Sequence, residues 1–176
     1  MKLSQNGLDL IKEFEGLRLK AYPDLGGVPT IGYGTTGPNI KLGMEISKPE
    51  AEELLRADVA AFERGVSNLV EVVINQNEFD ALVSFSYNVG LSALQSSTLL
   101  RLLNDGADRT VVASEFLRWN KVGDKPIEGL TRRRKAERDL FLAKVKNPML
   151  AASIVAKQDT WLKRKPIQSS ELAAEE

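Results

Sequence analysis

Two carboxylates and a hydroxyl stand close together near the start of the chain: Glu15, Asp24 after eight intervening residues, and Thr30 after five more. A protonated carboxyl can act as a general acid, a second carboxylate in a wetter place can act across the reacting centre, and a hydroxyl can hold a water. The 176 residues include no histidine and no cysteine. That removes Ser-His-Asp triads, Cys-His dyads and most zinc sites from consideration. No metal site and no cofactor are expected, and carboxylate chemistry is what remains.

The elements around these residues suit that chemistry. Leu8, Ile11 and Phe14 recur at three-residue spacing, which predicts a helix, and Gly16 predicts its stop. Glu15 then sits at the negative end of the helix dipole. That is the wrong place for a carboxylate and favours its protonated form. Next, Leu17, Leu19 and Ala21 alternate with Arg18, Lys20 and Tyr22, as in a half-buried strand. Pro23-Asp24 and Gly26-Gly27 carry turn chemistry, and Val28 to Tyr33 predicts a second strand. A helix end feeding a hairpin can bring Glu15, Asp24 and Thr30 to one surface.

The phrases Phe14-Glu15-Gly16-Leu17-Arg18-Leu19-Lys20-Ala21-Tyr22-Pro23-Asp24 and Thr30-Ile31-Gly32-Tyr33-Gly34-Thr35 resemble the active-site hairpin of phage-type lysozymes, the family 24 glycoside hydrolases. Asp80-Ala81-Leu82-Val83-Ser84-Phe85-Ser86-Tyr87-Asn88-Val89-Gly90, followed by Ser97-Thr98-Leu99-Leu100, is similar to the central helix of phage endolysins and the next helix start. Gly129-Leu130-Thr131-Arg132-Arg133-Arg134-Lys135-Ala136-Glu137-Arg138 resembles their C-terminal helix. Three blocks in order make a specific signal, covering roughly residues 1–146. One position departs: the family commonly carries a histidine after Gly-Tyr-Gly, where this chain has Thr35. That histidine is not one of the three reacting positions, so a structural ion pair is in question and the chemistry is not.

The resemblance implies an α+β, mostly α, two-lobed lysozyme-like fold with a small N-terminal sheet and a helical C-terminal lobe. The expected lysozyme domain is 1–148: a small lobe about 1–50, a connecting helix about 48–66 and a helical lobe about 67–148, with 149–176 an extension of unassigned role. It implies hydrolysis of the β-1,4 bond between N-acetylmuramic acid and N-acetylglucosamine, with Glu15, Asp24 and Thr30 catalytic. An arginine of the last helix would pair with the glutamate, and position favours Arg133. Locally, Tyr87, Asn88 and Thr98 are cap or core-rim residues near helix ends. The resemblance puts Tyr87 and Thr98 at sugar contacts, and Asn88 is carried with them as a substrate-binding candidate. A lytic transglycosylase would cut the same bond without water and would not need Asp24 and Thr30 together. A wall-binding protein on a lysozyme scaffold is the alternative from another class.

Composition is consistent with these expectations. A hydrophobic share of 43% supports one sizeable core. Lys plus Arg and Asp plus Glu are 24 each, so no overall field favours nucleic acid or membrane lipid. The run Arg132 to Lys135 reads as a solvated helix face, diluted by Glu137 and Asp139. A monomer acting on peptidoglycan glycan strands is expected. Met1 to Asp9 shows no signal-peptide pattern, so the expectation is synthesis in the host bacterial cytoplasm, with a holin or host lysis providing release to the wall.

Further along, Ser47-Lys48-Pro49-Glu50 predicts a capped helix start, with Ala51, Leu55, Val59, Phe62 and Val66 on one face. Asn75 to Glu78 predicts a second, with an apolar stripe of Phe79, Leu82, Val83, Ser86 and Val89. Short helices are expected from about Ser97 and Asp108, a polar loop over Lys121 to Gly129, and a last helix from about Thr131 to Lys146.

Overall fold

The computed structural model describes residues 1–144. The expectation for the 149–176 extension lies outside these residues. The first helix, α1, is Gln5–Glu15. Ser4 caps it by accepting from the Gly7 N–H, and Gly16 ends it at φ 71°, a conformation that costs glycine little. That stop makes Glu15 the last helical residue. Leu8 and Ile11 are fully buried beneath the helix.

Two buried carboxylates pin the N-terminus of α1. Asp80 accepts the Ser4 N–H at 3.0 Å, the Ser4 hydroxyl, and the Gln76 amide at 2.8 Å. Glu63 accepts the Leu3 N–H at 2.8 Å and the Lys2 ammonium at 2.7 Å. Asp80 is fully buried, so Asp80→Ala strands several donors. The expected cost is about 3 kcal/mol, since a hydrogen bond to a charged group contributes about 1.5–3 kcal/mol. For a chain of this size the melting temperature should then fall by about 10 °C. Calorimetry showing an unchanged melt would contradict this. Gly7 lets the helix approach: a Cβ there would lie 2.8 Å from Asp80 Cβ and 2.6 Å from Leu3 Cδ1. Gly7→Ala should destabilise by about 1–3 kcal/mol through overpacking, although alanine is the better helix former by about 1 kcal/mol. A urea midpoint at or above the parent's would show that the overlap relaxes.

The sheet follows as β1 Arg18–Pro23, β2 Pro29–Gly32 and β3 Thr35–Thr36, antiparallel and in chain order. Tyr22 pairs with Thr30, and Thr30 with Thr36. The expected alternation in β1 fails. Leu17 and Leu19 are 37% and 42% exposed, and only Ala21 is buried. A register shift between Arg18 and Tyr22 breaks the two-residue period, and that end of the strand is left open to solvent.

Helix α2, Lys48–Leu69, carries the predicted capping box of Ser47 and Glu50 with proline in its first turn. It packs on β2 and β3 at one end and on the helical body at the other. Helix α3, Gln76–Val89, has the second capping box, Asn75 with Glu78. A stripe was expected on α3, but every residue from Glu78 to Ser86 is buried. The cause is that α1, α2 and the last helix surround it.

Helices α4 Leu91–Gln95, α5 Thr98–Asn104 and α6 Arg109–Ser114 complete the body, with a 3-10 turn over Glu115–Arg118. The expected polar loop contains a small hairpin, β4 Lys121–Val122 with β5 Lys125–Pro126. The last helix, α7, is Glu128–Leu142, not 131–146. Thr131 N–H already bonds to the Ile127 carbonyl at 2.9 Å, which puts Thr131 a full turn inside the helix. At the other end Ala143 turns to an extended ψ of 132°.

Candidate active site

A cleft of about 390 Å³ opens between the sheet and the helical body. Glu15 reaches it from the end of α1, and Tyr33, Gly34 and Thr36 from the β2–β3 turn and β3. Asp58 and Phe62 enter from α2, and Tyr87 and Asn88 from the end of α3. The cleft thus gathers Glu15, Tyr87 and Asn88 from the sequence-derived set. Gly34, at φ 97°, brings the turn against the acid: a Cβ on it would lie 3.8 Å from Glu15 Oε2. Phe62 meets the Tyr87 ring edge-on at 5.2 Å. Burial, reinforced by the carboxylates of Asp58 and Glu15, pushes the Tyr87 phenol up, so it stays a neutral hydroxyl. Its hydroxyl points to the Tyr33 carbonyl at 3.4 Å.

Asp24 and Thr30 form one unit around the Val28 peptide. Asp24 Oδ1 accepts the N–H groups of Gly26 and Val28, both at 2.8 Å. The Val28 carbonyl accepts the Asp24 N–H and the Thr30 hydroxyl, each at 3.0 Å. Asp24 Oδ2 has no hydrogen-bond partner among the described residues. Thr30 is 4% exposed, and its proton is committed to Val28, so its oxygen lone pairs are left to accept. Directly paired strand residues share a sheet face. Thr30 therefore shares the face of Thr36, which lines the cleft. Thr98 opens α5 behind its Ser97 cap and does not line this cleft.

Arg133 reaches Glu15 from α7. Its Nη1 donates to Glu15 Oε1 at 2.7 Å across 118 residues of chain, and its guanidinium lies over the Phe14 ring at 5.7 Å. The run around it is not a solvated face. Arg133 is 3% exposed, Arg134 and Glu137 are fully buried, and only Arg132 and Lys135 face water. The reason is α3, whose Ser84, Phe85 and Asn88 supply the partners. Arg134 donates to Asn88 Oδ1 at 2.6 Å and lies over Phe85 at 4.9 Å. Ser84 donates to Glu137 Oε1 at 2.8 Å. Burial pulls the Arg134 guanidinium down to about 10, still protonated at neutral pH. Burial also pushes the Glu137 carboxyl up, while both arginines pull it back.

Thr35, the departing position, has a partner on α2. Its hydroxyl donates to Asp58 Oδ2 at 2.6 Å. Sequence reasoning missed Asp58, Phe62, Ser84 and Glu137. A helix-period reading could have put Glu137 on the face of Arg133 and Arg134, but the run was read as charge against water.

A small antiparallel sheet, a helical body and a carboxylate-bearing cleft between them make this a lysozyme-like α+β fold. The chain belongs to the phage lysozyme family, whose model matches residues 12–137. It is 53% identical over 147 residues to an endolysin of Bacillus phage B103, covering 81% of this chain and 54% of that one. The chain thus spans about half the length of that relative. It is 45% identical to an endolysin of Salmonella phage P22, over 81% of this chain and 99% of the relative. Among solved structures, the muramidase domain of SpmX from Asticaccaulis excentricus is similar at TM-score 0.76 and 38% identity, over 81% of this chain and 99% of that one.

Proposed function

We propose that the chain is a peptidoglycan hydrolase, an N-acetylmuramidase of the endolysin kind, cleaving the β-1,4 bond between N-acetylmuramic acid and N-acetylglucosamine. The observation that carries this reading is Glu15 in the cleft, held by the buried Arg133, with the Asp24–Thr30 unit on the adjoining sheet. Glu15 protonates the leaving oxygen. One water donates one hydrogen bond to Asp24 Oδ2 and a second to Thr30 Oγ1, which leaves its lone pair for the anomeric carbon. As that C–O bond forms, Asp24 takes one proton from the water, the glycosidic C–O bond breaks, and its electron pair receives the proton from Glu15. The expected outcome is inversion, in which the two carboxyl groups stand about 6.5–9.5 Å apart with the water between them. Tyr87 and Asn88 contact sugar, and Thr98, which lies outside the cleft lining, is a further candidate contact. The endolysin relatives support the substrate class. The protein acts as a monomer, needs no cofactor, and binds neither nucleic acid nor membrane stably. No helix among the described residues is long and apolar enough to cross a membrane. It is made in the host cytoplasm and reaches the wall through a holin or host lysis.

Mass spectrometry of the sugar ends released from purified peptidoglycan tests the reading. Reducing muramic ends are expected. Anhydro ends would make the chain a transglycosylase and leave Asp24 and Thr30 without these roles. No release would make it a wall-binding protein on the same scaffold.

A further inference from the structure

Glu137 touches nothing in the cleft, yet two of the cleft's polar side chains lead back to it. Its Oε1 accepts Arg133 Nε at 3.1 Å and the Ser84 hydroxyl at 2.8 Å. Its Oε2 lies 3.1 Å from Arg134 Nε. The Arg133 guanidinium is planar and rigid, so the hydrogen bond at its Nε sets the direction of both its Nη groups. Arg134, whose Nε and Nη1 make no hydrogen bond among the described residues, is held toward Glu137 by charge. Arg133 Nη1 ends on Glu15 at 2.7 Å, with Nη2 on the Ser84 carbonyl at 3.2 Å. Arg134 Nη2 ends on Asn88 Oδ1 at 2.6 Å. Because the amide oxygen is taken, Asn88 keeps its NH2 group for the cleft, a donor suited to a sugar hydroxyl or N-acetyl carbonyl.

We infer that Glu137 is a positioning residue for both sides of the reaction: it aims Arg133 at Glu15 through a hydrogen bond and holds Arg134 beside Asn88 by charge. One buried carboxylate thereby sets where the acid stands and which face of the Asn88 amide the glycan meets. The inference rests on the reading of Glu15 as the general acid. A buried ion pair that served folding alone would look similar in the core. It would not need each guanidinium to end on a residue lining the cleft.

The test compares Glu137→Gln, Glu137→Asp and Glu15→Gln on soluble peptidoglycan fragments, with kcat and KM expressed per folded molecule. Misplacing a reacting group by about 1 Å can cost about 10²-fold. Glu137→Gln, which cannot hold both guanidiniums by charge, should lose about 10- to 100-fold in kcat and raise KM as Asn88 turns. Glu137→Asp keeps the charge beneath the two arginines and should recover part of the kcat loss. A parental kcat in folded Glu137→Gln, or a loss as large in Glu137→Asp, overturns the inference. If Glu137→Gln does not fold, Ser84→Ala removes one hydrogen bond from the same carboxylate. It should lower kcat several-fold, and an unchanged kcat would again overturn the proposal. Glu15→Gln separates the two readings. If it stays active, the acid assignment fails. If it is dead while Glu137→Gln turns over normally, only the positioning role fails.

Discussion

Glu15→Gln should lose nearly all turnover, by about 10²–10⁴-fold, the range contributed by a positioned general acid, while its melt stays close to the parent's. The fold should tolerate it because the change is nearly isosteric. The glutamine oxygen can still accept from Arg133 Nη1, which holds Glu15 Oε1 at 2.7 Å. Arg133 also keeps Glu137 and the Ser84 carbonyl as partners. Removing the negative charge from the C-terminal turn of α1 removes an unfavourable dipole interaction of about 0.3–1 kcal/mol. That gain offsets part of the lost ion pair. What the amide cannot do is give a proton to the leaving oxygen. Release of reducing ends, measured beside a thermal melt, separates the two effects. Near-normal turnover in the folded variant would remove Glu15 from the chemistry.

Thr30→Glu should abolish hydrolysis by a different route, with a loss of about 10²-fold or more, as expected when a reacting water is displaced. The native hydroxyl gives its proton to the Val28 carbonyl at 3.0 Å and offers lone pairs outward. Asp24, locked to the same peptide through Oδ1, leaves Oδ2 to accept. The pair can hold one water in one orientation. A glutamate fills that space and sets a second negative charge beside Asp24. Position 30 is 4% exposed, so some loss of stability is also expected and a melt must accompany the assay. Turnover equal to the parent's would show that the water does not sit there. If Thr30→Glu fails and Glu15→Gln does not, the hairpin matters and the acid lies elsewhere.

The phrase around Glu15 was legible because its structure is local. Gly16 stops α1 through its own φ, Ser47 and Asn75 cap their helices through residues three positions on, and Asp24 closes its turn on Gly26 and Val28. These contacts span at most a few residues, so residue type and spacing decide them. The family resemblance added Arg133 as a partner for Glu15, which no local rule supplies.

The β1 alternation and the α7 boundaries were misread for opposite reasons. In β1 an irregular register overrode the two-residue period. In α7 the buried face is built from Arg133, Arg134, Glu137 and Phe141, and a search for apolar periodicity passes over charge. By itself the sequence determined the stop of α1, the capped starts of α2 and α3, the turn at Asp24 and the three candidate reacting groups. Only the tertiary structure decided that Arg134 and Glu137 are buried, that Asp80 anchors α1, and that Asp58 takes the Thr35 hydroxyl. A charged side chain goes inside only where partners from distant segments receive it. Arg133 meets Ser84 across 49 residues, Glu137 meets Ser84 across 53, and Ser4 meets Asp80 across 76, separations that only the packed chain closes.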